Sequence, residues 1–178
     1  MNIVKRNITV KAPVRSNLER HPVPVLGIDY KVKIEYKNIK IAELDVENKT
    51  IKISLPNKYK KTSNTTILDL AIEKMYEQIA KVEIERAMEK ARIELGFAPE
   101  DYEIKNIEKR LGTCEDNRIT INPEVVMFHR DFIDYVVLHQ YCHLKYKTHA
   151  KSFFKLLEKH EPDYKKYDTM IKELNYIN

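Results

Sequence analysis

Glycine is scarce in this 178-residue chain, cysteine is scarcer, and a long apolar run is missing altogether. The three glycines, Gly27, Gly96 and Gly112, stand apart and cannot form a G-x-x-x-x-G-K-[ST] loop, so a phosphate cradle of that kind is excluded. The two cysteines, Cys114 and Cys142, make no C-x-x-C pair and read as reduced, buried thiols, which points to a cytoplasmic protein. No apolar stretch reaches the roughly 18–20 residues of a membrane span, and residues 1–11 lack a signal-peptide core, so no membrane partner is expected. Without secretion, the sequons at Asn7, Asn48 and Asn64 are chance.

Charge, by contrast, is plentiful and of both signs. A third of the residues are charged, 32 basic against 27 acidic, for a net +5, while the apolar fraction is an ordinary 43%. This is the composition of a well-solvated globular chain, long enough for one domain with a sizeable core. The modest basic excess permits nucleic-acid contact without requiring it. Its most lopsided stretch is the first 22 residues, where Lys5, Arg6, Lys11, Arg15 and Arg20 face a single acid, Glu19. We divide the chain into a basic, extended N-terminal arm (1–27), either simply solvated or in contact with DNA phosphates, and a single domain (28–178).

Residues 3–10 alternate and are followed by Pro13, Pro22 and Pro24, which suits an extended arm. From Tyr30 the period is two: Val32, Ile34 and Tyr36, then Ile39, Ile41 and Leu44, then Ile51, Ile53 and Leu55 after a polar turn at Glu47-Asn48-Lys49. An antiparallel meander of two or three strands is expected. Thr65 or Thr66 can cap the next element. Over 67–95 the period becomes helical, with Ile67, Leu68, Ala71, Ile72, Met75, Ile79, Val82 and Met88 on one stripe. The intervening charges, Glu83, Glu85 and Arg86 among them, read as a solvated face. Short strands are expected at 102–107 and 118–121, separated by a turn over 111–117. A helix follows from about Asp131 through Cys142, another from near Thr148 through Leu157, and a last one from Pro162 to about Leu174.

The chemistry concentrates in the first two of these helices. His139 and His143 are four residues apart, so a helix projects both imidazoles from one face, one turn apart, toward a common cation. His149, six residues further and past the expected helix end, can be turned back to the same ion. Three histidines with a fourth position left to water is the coordination of a catalytic zinc. Glu158 and Glu161 are alternative carboxylate donors to His149. The spacing matches that of metzincins, but Tyr146 occupies the position of their turn glycine. In the H-E-x-x-H class the residue after the first histidine is the general base, and here it is Gln140. A carboxamide accepts a hydrogen bond and can orient water, but it takes no proton, and loss of a general base costs roughly 10²- to 10⁴-fold. His129 and His160 read as surface or cap residues, and His21 lies in the arm.

Several separated segments, taken together, resemble one family. They are Arg110-Leu111-Gly112-Thr113-Cys114, Ile119-Thr120-Ile121-Asn122, Tyr135-Val136-Val137-Leu138-His139-Gln140-Tyr141-Cys142-His143-Leu144, His149-Ala150-Lys151-Ser152-Phe153-Phe154 and Pro162-Asp163-Tyr164-Lys165. In order and spacing they are similar to the YgjP-like metallopeptidases, relatives of the SprT-like zincins, whose pattern runs R-W-G-S-C, then Y-V-V-x-H-E-L-C-H-L, then a histidine before F-W, then P-D-Y. The resemblance implies an α+β zincin-like core with a small antiparallel sheet, a long helix and an HxxxH helix. It further implies that His139, His143 and His149 hold Zn²⁺, that position 140 is the base, and that the strand around 118–122 borders a cleft for an extended protein or peptide substrate. Leu111, Thr113 and Phe154 are mild departures. Gln140 is the departure that touches chemistry, and it marks either a natural pseudoenzyme or a deliberately inactivated variant. Two other functions stay open: a non-catalytic zinc module that recognises peptide or nucleic acid, and a nucleotide pyrophosphatase.

Overall fold

The computed structural model describes residues 22–60 and 64–177, with side chains in the second stretch from residue 69 onward. The cations of the basic arm, its alternating piece and His21 lie outside the described residues, as do the side chains of Ile67 and Leu68. The elements run β1 (Val23–Val25), β2 (Ile28–Lys37), β3 (Glu43–Glu47), β4 (Thr50–Pro56), α1 (Asn64–Leu95), β5 (Asp101–Ile104), β6 (Gly112–Glu115), β7 (Arg118–Ile121), α2 (Arg130–Lys145), α3 (Lys151–His160) and α4 (Tyr164–Glu173). Short 3-10 turns lie at Asn57–Tyr59 and Pro123–Met127. The α+β class, the long helix and the HxxxH helix are as the sequence implies; α1 starts at Asn64, so Thr65 and Thr66 lie inside its first turn instead of capping it.

The sheets differ from the expected antiparallel meander. In the first, the order is β1-β2-β4-β3, with β2 and β4 parallel from Lys31↔Thr50 to Lys37↔Pro56 and β3 antiparallel at the edge. Burial explains the order. β4 carries Ile51, Ile53 and Leu55, all at most 1% exposed, whereas every residue of β3 is exposed, so the apolar strand takes the centre. Alternation fixes which face a side chain occupies and says nothing about which strand is the neighbour.

The arm boundary after residue 27 falls inside a hairpin. Val23–Val25 pairs with β2 through a two-residue turn at Leu26-Gly27, both with positive φ (50° and 76°), the geometry of a tight hairpin turn. The Leu26 and Gly27 amides donate to the carbonyls of Val126 (2.7 Å) and Met127 (3.2 Å), and the Tyr76 hydroxyl donates to the Pro24 carbonyl (2.8 Å). Residues 23–27 therefore belong with the domain.

The second sheet has the order β5-β7-β6, with β5 parallel and β6 antiparallel to β7. β6 occupies most of the stretch expected to be a turn, and only Asp116 and Asn117 turn, with φ of 47° and 62°. Gly-Thr-Cys-Glu shows no apolar alternation; pairing with β7 makes it a strand.

The buried face of α1 is not a single stripe. Ile72 and Met75 pack on the first sheet with Val23, Val32, Ile51, Ile53 and Leu55, while Ala80, Ile84, Ala87, Met88 and Ala91 join the larger core. At 100° per residue the buried face rotates by roughly a third of the circumference between these halves. Val82 falls where the buried face has already turned, nearly opposite Ile84 and Ala87, and is 67% exposed, contrary to its place in the expected stripe. Glu83, expected on a solvated face, is 5% exposed.

α2 is the central helix. Phe132, Ile133, Tyr135, Val136, Val137, Tyr141 and Cys142 are all at most 3% exposed. Polar clamps set its position: Arg130 of α2 donates to Glu83 of α1 (2.6 Å), and Asp134 of α2 accepts from Arg86 (2.6 Å) and Lys90 (2.8 Å) of α1. The Tyr141 hydroxyl donates to the Met88 carbonyl (3.0 Å).

Candidate metal centre

His139 and His143 occupy the third and fourth turns of α2, and the helix ends two residues later, where the Tyr146 amide closes on the Cys142 carbonyl (2.9 Å). The chain turns through 147–150 and enters α3, which brings His149 back over the end of α2. The Nε2 atoms of His139 and His149 lie 3.0 Å apart, and those of His149 and His143 lie 3.1 Å apart. Phe153 of α3, fully buried, makes the floor, its ring 4.9, 4.7 and 4.7 Å from those of His139, His143 and His149. The trio is graded from buried (His139) through half-buried (His143) to exposed (His149), so the site opens on the His149 side.

The hydrogen bonds on the other ring nitrogens decide what these Nε2 atoms present. Nδ1 of His143 lies 3.1 Å from the Tyr146 carbonyl, which can only accept, so this nitrogen carries the proton. Nδ1 of His139 lies 3.3 Å from the Tyr135 hydroxyl. That hydroxyl gives its one proton to Asp168 of α4, which leaves its oxygen to accept from His139. In the neutral rings both Nε2 atoms are therefore bare lone pairs aimed at one place. Burial, aided by His143 and His149, pushes the His139 imidazole down to about 3; burial also lowers His143 despite the opposing bond from Tyr146. The two rings are neutral at pH 7.

A cation fits this donor set. Three nitrogens at 2.0–2.1 Å from a tetrahedral zinc stand about 3.3 Å apart, close to the spacings here. Among the described residues these three histidines are the group of metal-ligating side chains that converges. Glu158 and Glu161 are not in it; Glu161 instead accepts from the Asp163 amide (3.4 Å). His129 precedes α2 with its ring against Gly27, and His160 ends α3 facing Glu94 at 4.0 Å.

Gln140 is 4% exposed and lies between α2 and β6. A Cβ on Gly112 would come within 2.9 Å of its Cγ, so the glycine of the R-L-G-T-C segment makes room for residue 140. Among the described residues its amide forms no hydrogen bond to protein. The strand beside the site is β6, at the edge of its sheet among the described residues; β7, expected from the resemblance to border the cleft, is paired on both sides. Cys142 is buried and its thiol pushed up to about 12, and burial also raises half-buried Cys114, so neither offers a thiolate. Sequence reasoning gave no role in the site to Tyr135, Asp168, Phe153 and Gly112. Gly112, Tyr135 and Phe153 do lie in the segments that carry the resemblance, and Tyr135 also stands four residues before His139 and hence on the same helix face; Asp168 left no signal.

A helix that offers two histidines one turn apart to a centre closed by a third, within an α+β frame, defines a zincin-like metallopeptidase fold. Within that class the chain belongs to the YgjP-like family: the model of the YgjP-like metallopeptidase domain matches residues 2–174. Two solved structures are similar over about half of this chain. The metallopeptidase zymogen abylysin of Pyrococcus abyssi is 25% identical, with 53% of this chain and 99% of that chain covered and a TM-score of 0.47. The metallopeptidase zymogen jannalysin of Methanocaldococcus jannaschii is 20% identical, with 51% and 88% covered and a TM-score of 0.46. Comparison with curated proteins gives no match. No helix among the described residues is long and apolar enough to cross a membrane.

Proposed function

We propose that this chain is a zinc-binding protein of the metallopeptidase kind in which metal binding is intact and the proton-transfer step is disabled. The observation that carries it is the convergence of three histidine Nε2 atoms, two of them with the proton fixed on the far nitrogen, beside a glutamine where a base would stand. His139, His143 and His149 would hold the ion. Zinc bound there would supply a Lewis acid and lower the pKa of a water toward 7. Gln140 orients water through its carboxamide oxygen and takes no proton. The outer edge of β6, unpaired among the described residues and beside Gln140, is the place for an extended peptide to add a strand, and a protein or peptide is the substrate class this favours.

The expected metal content is about one zinc per chain, lost in His143→Ala, by elemental analysis after purification without chelator. A chain without transition metal overturns the reading. Gln140→Glu puts a carboxylate in the same buried place, where desolvation raises its pKa toward the working range of a base. That variant is expected to cleave an unfolded protein at least 10²-fold faster than the parent, in a zinc-dependent way. No zinc-dependent cleavage by the restored chain, with metal bound, would make it a non-catalytic zinc module.

A further inference from the structure

We infer that Tyr135 and Asp168 are positioning residues that set the tautomer of His139 and thereby the metal affinity of the site. The inference rests on the three histidines being metal ligands, and it extends the site to a helix, α4, that touches none of them through a ligand atom. His139 is the most buried of the trio, at 2% exposure, and has no solvent to pick its tautomer. Left alone, a neutral imidazole can place its proton on either nitrogen, and with the proton on Nε2 it has no lone pair for a cation. The Tyr135 hydroxyl resolves this, because it donates to Asp168 and can only accept on its other side, where Nδ1 of His139 stands. The same bond makes Nε2 a better donor, since a carboxylate at the far end of the chain polarises the imidazole.

The arrangement is built to hold still. Tyr135 is fully buried, stacked on Tyr167 of α4 at 4.9 Å and 26°, and set edge-on to His139 at 5.8 Å. Its hydroxyl therefore has one place to be. Tyr167 and Asp168 are consecutive on α4, so one short piece of that helix supplies both the stacking surface for the ring and the acceptor for its hydroxyl. His143 takes its proton placement from a backbone carbonyl, which no substitution removes. Of the two histidines whose tautomer is fixed, His139 is the one whose tautomer depends on side chains.

The test uses the full chain with zinc alone, titrated against a chromophoric chelator at neutral pH. Tyr135→Phe keeps the stacked ring and deletes the hydroxyl; Asp168→Asn keeps the shape and deletes the charge. Both are expected to weaken zinc binding by roughly 10- to 100-fold, with Asp168→Glu recovering most of it. In the metal-free protein, ¹⁵N shifts of His139 are expected to show the proton on Nδ1 in the parent and a mixture of tautomers in Tyr135→Phe. If the pair only staples α4 to α2, the variants lose stability with zinc affinity and tautomer unchanged, and the inference fails. A parent that binds no zinc would instead overturn the metal-site reading, and the ¹⁵N spectra would then still decide whether Tyr135 sets the tautomer.

Discussion

At the scale of single residues, the site depends on small pieces of packing as much as on the histidines. Gly112 shows this most simply, because any side chain there meets Gln140. Gly112→Ala is expected to displace the Gln140 amide and to cost roughly 1–2 kcal/mol in chemical denaturation, as overpacking does, while elemental analysis still finds stoichiometric metal. Loss of the metal in that variant would mean that β6 supports the histidines directly. The ligand candidates themselves were legible in the sequence, since a four-residue spacing on a helix and a third histidine six further on is a local pattern. Gly112 and Phe153 were legible only as members of the resembling segments, without a role, and Asp168 not at all, because each reaches the site from an element whose own sequence says nothing of α2.

At the scale of elements, what fixes α2 against α1 is an ionic clamp of buried carboxylates and half-exposed cations that reads in the sequence as part of an ordinary charged face. Glu83 is held below the usual carboxylate range, first by the hydrogen bonds from Arg130 and further by Arg86. The sign follows from the direction. A carboxyl more acidic in the folded than in the unfolded chain adds stability above the unfolded value of 4.5, and that contribution disappears as the pH falls through the folded value. Glu83→Gln is expected to lower stability by roughly 1–3 kcal/mol at pH 7, with the difference from the parent shrinking toward zero below the folded pKa, as read from urea midpoints against pH. A difference that persists undiminished into acid would assign the loss to packing and not to charge. Helix positions were predictable from period and punctuation: Gly96 follows α1, Pro162 precedes α4, and the polar segment 146–150 separates α2 from α3. Strand order was not, since β4 enters between β2 and β3 on grounds of burial, and β6 is a strand only because β7 pairs with it.

At the scale of the whole molecule, α1 joins two apolar clusters, one under the four-stranded sheet and one around α2, with Tyr76 and Ile79 packed against both. A single helix shared in this way makes the clusters unfold together. Ile53→Ala, in the sheet cluster and away from the histidines, is expected to cost 2–5 kcal/mol, roughly the usual range for such a cavity, and to lower the midpoint seen by helix signal and by metal release equally. Two separated transitions would show that the sheet cluster opens independently. The class of elements, the long helix, the three histidines on and after one helix, and the absence of a carboxylate at position 140 could all be read before any fold was known, because they are written in local spacing and residue type. It took the packing of the elements to put β6 and not β7 beside the site, to bury Glu83, and to stand Tyr135 and Asp168 behind His139. Those facts depend on which elements meet, and that is settled by burying apolar surface across residues far apart in the chain.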